Sequence, residues 1–308
     1  MTIAYAPGKA ILFGEHAVVY GRPAIALPVT QVRAQAAVED GGSGITIVAP
    51  DLGRRYLVGP APLDDPLAHA VRITLAHLGL GLNQDLTITL TSTIPLGRGL
   101  GSSAAISAAL VRALARHFGQ DLPAQELSAL VYETEVIHHG TPSGVDNTVV
   151  AYEQPVTFVR GQPIERLRVG APLCLALADT GVASSTREVV GDLRRAWERD
   201  QPRYEWLFDQ IGEISRRARR AIEEGDPGVV GRLMDGNHAL LQAMGVSSPE
   251  LDALVEAARA AGALGAKLSG AGRGGTMIAL VGPGARARVE EALREAGAVS
   301  VIRTDVPP

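Results

Sequence analysis

Residues 95–110 read PLGRGLGSSAAISAAL, and a change of character inside them decides the fold. Before them, LTITLT at 86–91 alternates apolar and polar residues, the pattern of a half-buried strand. After them, AAISAALVRALARHF at 104–118 is rich in alanine and leucine and stops at Gly119, the pattern of a helix. Strand, glycine loop and helix in that order make an anion cradle. Glycines let backbone amides approach a phosphate, and a helix start adds N–H groups and the positive dipole end. Ser102 and Ser103 suit both a helix start and a hydroxyl ligand for phosphate or a cation. An ordinary glycine turn with a serine cap has the same local signature. The order G-x-G-x-G-S-S fits neither a Walker A loop nor a dinucleotide fingerprint, since no K-[ST] follows and no acidic residue ends a next strand.

Working outward, short alternating or β-branched runs at 3–5, 24–27, 32–38 and 44–49 predict further strands. Helical spacing places Leu67, Val71, Leu75 and Leu78 on one face of 66–78. Another helix is expected over 124–139, closed by Gly140, and a β-hairpin over TVVAYEQPVTFVRG at 148–161. A polar, Gly/Pro-containing stretch at 160–172 then suggests a boundary, giving domains 1–168 and 169–308. The second opens with a strand, LCLALAD, and runs through helices at 187–198, 204–224, 229–244 and 249–261. It ends strand, glycine loop, strand, helix, strand, which fits a small sheet with helices on one face.

Composition narrows the class of protein. At 308 residues with 46% apolar content, the chain can bury a substantial core, built mainly from Ala, Val, Leu and Ile because aromatics are only 4%. A net charge of −4 offers no basic field for nucleic acid. The single Cys174 lies in an apolar run, and no Cys/His group has zinc spacing. Without a secretory pattern or an apolar run of membrane-spanning length, a soluble, cytoplasmic protein is expected.

Of 29 Lys and Arg residues, only Lys9 and Lys267 are lysine, and each lies in a glycine-containing segment, APGKAILFGEH and AKLSGAGRGG. Lysine is a compact point charge where arginine is a broad fork, so a crowded site wanting a small cation would select it. Lys9 lies in APGKAILFGEHAVVYG at 6–21, where Glu15 and His16 stand among apolar residues. A substrate contact and a buried structural Glu–His hydrogen bond are both open there. Lys267 begins KLSGAGRGG, a second glycine-dense loop, and nothing beyond that proximity gives it a task. In ETEVIHHGTPSGVDN at 133–147, Glu135 and His139 are i,i+4 neighbours, the spacing of an ordinary stabilising pair. Asp146 is expected at a loop–strand junction, as a turn residue or a rigidly held acid.

In this order and spacing, APGKAILFGEHAVVYG, PLGRGLGSSAA and KLSGAGRGG resemble the three motifs of the GHMP small-molecule kinases. GEHAVVYG, HGTPSGVDN, DTGVASSTRE and NHALLQAMGVSSPELDAL resemble its mevalonate-phosphorylating branch, so the similarity runs from Ile3 to about Leu280. The resemblance implies an α/β fold, α+β in two domains, the first ribosomal-S5-like and the second ferredoxin-like. It implies ATP as co-substrate, Mg2+, mevalonate as acceptor, a place in isoprenoid biosynthesis, and a homodimer. Carried over residue by residue, Ser92, Pro95, Gly97, Arg98, Gly99, Leu100, Gly101, Ser102 and Ser103 would hold the nucleotide. Ser103 and Glu135 would hold the metal, Asp146 and Lys9 would be catalytic, and Glu15 and His16 would lie near the substrate. Arg273 departs from the pattern, standing where members often have another glycine. The alternatives are a phosphomevalonate or homoserine kinase of the same family, or a non-catalytic metabolite sensor on the same fold. Asp146 speaks against the homoserine branch, GEHAVVYG against the phosphomevalonate branch, and the presence of Lys9, Glu135 and Asp146 against a sensor.

Overall fold

The computed structural model describes residues 1–140 and 142–308; the side chain of His139, and with it the Glu135–His139 pair, lies outside the described residues. Its contacts divide the chain into two units that interleave along the sequence. One comprises Met1–Lys9, Pro28–Pro95 and Gly101–Glu153, the other Ala10–Leu27, Leu96–Leu100 and Gln154–Pro308.

The strands early in the chain are β1 (Thr2–Phe13), β2 (Ala24–Asp40), β3 (Ile45–Ala49), β4 (Arg54–Leu57) and β5 (Leu86–Ser92). With the short β6 (Val156–Phe158) and β7 (Glu165–Arg166) they form a sheet of order β4-β3-β5-β2-β6-β7, with β1 paired to β2. Alternation in β5 matches its burial, with Leu86, Ile88 and Leu90 inward. The predicted strands at 24–27 and 32–38 are one long strand, and that at 3–5 continues through Lys9.

Four helices complete the first unit: α1 (Pro66–His77), α2 (Ser102–His117), α3 (Ala124–His139) and α4 (Val145–Tyr152). Small residues let α2 sit at the centre of this group. Ala104, Ala105, Ala108, Ala109 and Ala113 have no exposed surface, and α1, α3 and α4 all pack on the helix. The expected hairpin at 148–161 is not formed. Its first half is α4, entered through Gly144 at φ 93, and only 156–158 is a strand. The β-branched run Thr148-Val149-Val150 suggested a strand, yet burial decides: Val145, Val149 and Val150 are fully buried. Thr148 Oγ1 donates to the Gly144 carbonyl at 2.6 Å, the one-turn-back bond of a helical threonine.

The second unit holds an antiparallel sheet of order β11-β8-β10-β9, built from β8 (Leu173–Asp179), β9 (Ala263–Ser269), β10 (Thr276–Val281) and β11 (Ser300–Val306). Helices α5 (Thr186–Arg199), α6 (Gln201–Glu224), α7 (Pro227–Ala243) and α8 (Pro249–Ala260) lie between β8 and β9; α9 (Arg286–Glu295) lies between β10 and β11. Numbered from β8, the order 4-1-3-2 with helical crossovers is the split β-α-β arrangement called ferredoxin-like. Leu193, Phe208, Leu241, Leu254, Leu268 and Met277 belong to its core. β9 is pressed directly onto α7. A Cβ at Gly265 would come 2.0 Å from the Gly231 carbonyl oxygen, so both backbones need glycine to touch. That close approach positions Lys267, two residues along β9.

Candidate active site

In the first unit, Lys9 projects from β1 with only 3% of its surface exposed. Its Nζ lies 3.1 Å from Asp146 Oδ1, and the Asp146 side chain is 28% exposed. Asp146 stands in the first turn of α4, where a carboxylate is favoured by the helix dipole, rather than at the expected loop–strand junction. Asn147 anchors that turn: its Nδ2 donates to the Ser128 carbonyl at 3.1 Å and to Ser128 Oγ at 2.9 Å.

The lysine stem lies across the start of α2. Gly101, at φ 71, leaves room for it; a Cβ there would come 2.7 Å from Lys9 Cγ. Gly101→Ala combines that clash with left-handed strain, so a stability loss of about 1–3 kcal/mol is expected, together with lower turnover. Thermal unfolding and a steady-state assay check it; no change in either would place the stem elsewhere.

Glu135 on α3 is 2% exposed and accepts a hydrogen bond from Ser103. Burial, then the negative charge of Asp146, push its carboxyl up to about 7, while Ser103 and Lys9 pull it down. Asp146 and Glu135 thus both feel the Lys9 charge. Among the described residues no group of three or more His, Cys, Asp or Glu could hold a metal. A metal here would therefore complete its shell from elsewhere.

In the second unit, the middle of the glycine loop is built onto neighbouring segments. The Gly97 carbonyl accepts from Ser184 N–H at 3.3 Å. The Arg98 carbonyl accepts from Thr276 Oγ1 at 2.8 Å. Arg98 Nε lies 3.3 Å from Asp179 Oδ2. Gly97 and Gly99 have φ of 68 and 79, and a Cβ at Gly99 would stand 3.4 Å from the Ser269 carbonyl. Leu100 is buried; Pro95, in the first unit, is half-buried. Ser92 ends β5, and its Oγ accepts from Ile94 N–H at 3.1 Å. Ser184, Thr276 and Asp179 did not stand out in the sequence. Only the resembling segments pointed to their neighbourhood: DTGVASSTRE contains Asp179 and Ser184, and Thr276 directly follows KLSGAGRGG.

Glu15 and Lys267 are paired, and neither has any exposed surface. Asn237 Nδ2 donates to the other oxygen of Glu15 at 3.3 Å, and Lys267 Nζ also donates to the Leu268 carbonyl at 2.6 Å. Burial pulls the lysine's pKa down, opposed by Glu15. Glu15 thus stands in a buried ion pair, with lysine as its partner rather than His16. His16 is 6% exposed and donates from Nε2 to the Ala271 carbonyl at 2.9 Å. Arg273, at φ 56, points its guanidinium to Asp192 on α5, beside a cavity of about 320 Å³ that Arg195, Arg199 and Tyr204 also line.

Burial lowers the His16 pKa from 6.5 to about 4, so the ring is neutral at neutral pH. With the folded value below the unfolded one, the unfolded chain takes up the proton first on acidification. The contribution is complete above pH 6.5 and is lost as pH falls toward 4. At pH 5 the loss is about 2 kcal/mol. Urea unfolding of wild type and His16→Gln should show their stability difference shifting by that amount between pH 7 and 5. An unchanged difference would place a charged or exposed imidazole in the fold.

Residues 66–154 match the GHMP kinases N-terminal domain, and residues 218–299 match the GHMP kinases C-terminal domain. Fold and site together define a small-molecule kinase of that class. Curated relatives refine it. The chain is 36% identical over 325 residues to the mevalonate kinase of Pyrococcus horikoshii, covering 97% of this chain and 94% of that one. To the mevalonate kinase of Aeropyrum pernix it is 37% identical over 286 residues, covering 90% and 87%. The crystal structure of L. major mevalonate kinase in complex with R-mevalonate superposes at a TM-score of 0.85 with 30% identity, over 100% of this chain and 96% of that one. A Streptococcus pneumoniae phosphomevalonate kinase reaches 0.86 at 17% identity, which speaks for the fold alone. The chain belongs to the GHMP kinases, on their mevalonate kinase branch, and is an ATP-dependent small-molecule kinase.

Proposed function

We propose that this protein transfers the terminal phosphoryl group of ATP to the 5-hydroxyl of mevalonate, giving 5-phosphomevalonate for isoprenoid biosynthesis. The observation that carries the mechanism is the buried Lys9 held 3.1 Å from Asp146 at the start of α2. Phosphoryl transfer asks chiefly for alignment and for neutralisation of charge on the oxygens. Asp146, partly exposed, accepts the hydroxyl proton as the oxygen attacks. Lys9, 3.1 Å from that carboxylate, orients it and offers a compact cation to the phosphoryl group in flight. Amides of the loop 95–103, with Ser92 ahead of it, hold the phosphates.

Ser103 and Glu135 suit Mg2+ in their chemistry. A hydroxyl and a carboxylate are hard oxygen donors, and the raised pKa of Glu135 marks a place where one more positive charge is favoured. When bound with phosphates and water, the ion would neutralise charge on the nucleotide. Glu15, with no exposed surface, acts on substrate only through its neighbours; His16 retains a little surface and is the candidate contact. The chemistry then falls to residues of 1–168, and the second glycine-dense loop to 169–308.

ADP release measured with mevalonate, phosphomevalonate, homoserine and galactose tests the reading. Turnover is expected with mevalonate, dependent on Mg2+. Turnover of homoserine or galactose without mevalonate would overturn it.

A further inference from the structure

We propose that Lys267 is a positioning residue for phosphoryl transfer: its buried pair with Glu15 fixes the 14–17 turn against the second glycine-dense loop, which also seats the middle of the phosphate loop. The proposal rests on the phosphotransfer reading above. Both charges are fully buried, and a buried ion pair is seldom the most stable filling for its space. Apolar residues of similar volume commonly do as well or better, so stability alone gives no reason to retain the pair.

The neighbouring backbone supplies a second, independent reason. His16 is held at φ 62 and ψ −50, a conformation that persists only where the surroundings over-determine it. Three attachments do so, all to the segment 267–271. Ser269 Oγ donates to the Ile11 carbonyl at 2.9 Å and accepts from Ile11 N–H at 3.1 Å. Glu15 is gripped by Lys267, and His16 by the Ala271 carbonyl. Asn237 on α7 steadies the second Glu15 oxygen. The same segment carries the loop 96–100, through Gly99 against Ser269 and, just beyond, the Thr276 bond to Arg98. A shift of Lys267 thus moves the His16 turn and the phosphate loop together. Lysine meets this need because one small ammonium reaches both Glu15 and the Leu268 carbonyl.

The test separates position from stability. Lys267→Met leaves Glu15 buried and unpaired, and should lose stability and activity together. The double variant E15Q/K267M removes both charges and should recover the wild-type Tm. It should still lose about tenfold or more in kcat, because alignment in the transition state is impaired. KM for ATP should stay within about threefold, since the phosphate ligands remain. A double variant with wild-type Tm and wild-type kcat would overturn the proposal and leave the pair purely structural. Should the double variant not fold, Asn237→Ser takes its place. It keeps both charges, releases one Glu15 oxygen, and should lower kcat several-fold at unchanged Tm; unchanged kcat overturns the proposal. Wild-type protein that does not phosphorylate mevalonate would instead sink the functional reading itself.

Discussion

Asp146→Asn is expected to fold, to bind ATP, and to turn over mevalonate about a hundred- to ten-thousandfold more slowly, the range for loss of a general base. Folding should survive because Lys9 keeps Glu135 as a second countercharge near by. With the Asp146 charge gone, one of the two causes raising Glu135 disappears, so its carboxyl ionises more readily. The substitution thus removes proton acceptance while relieving crowding between carboxylates. Calorimetric ATP titration beside steady-state ADP release separates the two effects. Near-wild-type turnover would remove Asp146 from the mechanism.

Lys9→Arg keeps the charge and is expected nonetheless to lower kcat about a hundredfold, since misplacement on the order of 1 Å has that effect. The reason is space. Lys9 is 3% exposed, and its stem runs against Gly101, where a single Cβ would come within 2.7 Å of it. A guanidinium is broader than an ammonium and would displace the start of α2 or swing away from Asp146. Overpacking should also lower stability by about 1–3 kcal/mol. Steady-state kinetics with thermal unfolding, using Lys9→Met as the charge-free comparison, gives the answer. Wild-type kcat in Lys9→Arg would show that the site asks for charge and not for shape.

Helices with clear ends could be read locally. Residues 104–118 needed only their alanine–leucine run and Gly119 to be recognised as α2, and the order of elements after 173 foreshadowed the β11-β8-β10-β9 sheet. The failure at 148–161 has a definite cause. β-branched residues favour strands on propensity, but burial among other helices overrides it, as Val149 and Val150 show in α4. The interleaving of the two units is long-range information that no local window carries.

The site divides in the same way. Lys9 and Asp146, far apart in sequence, were linked only by the motif resemblance, and the fold brings them to 3.1 Å. The partnership of Glu15 with Lys267, 252 residues apart, was hidden, although both clues were visible: a lone acid in an apolar run and one of only two lysines. Composition can mark such residues as unusual. It cannot pair them.

The most direct test of the central claim is phosphorus NMR of the wild-type protein with mevalonate, ATP and Mg2+. The account predicts a phosphomonoester resonance coupled to the C5 methylene protons of mevalonate, growing as the terminal phosphate of ATP disappears into ADP. Inorganic phosphate as the sole product, or an unchanged ATP spectrum, would contradict it.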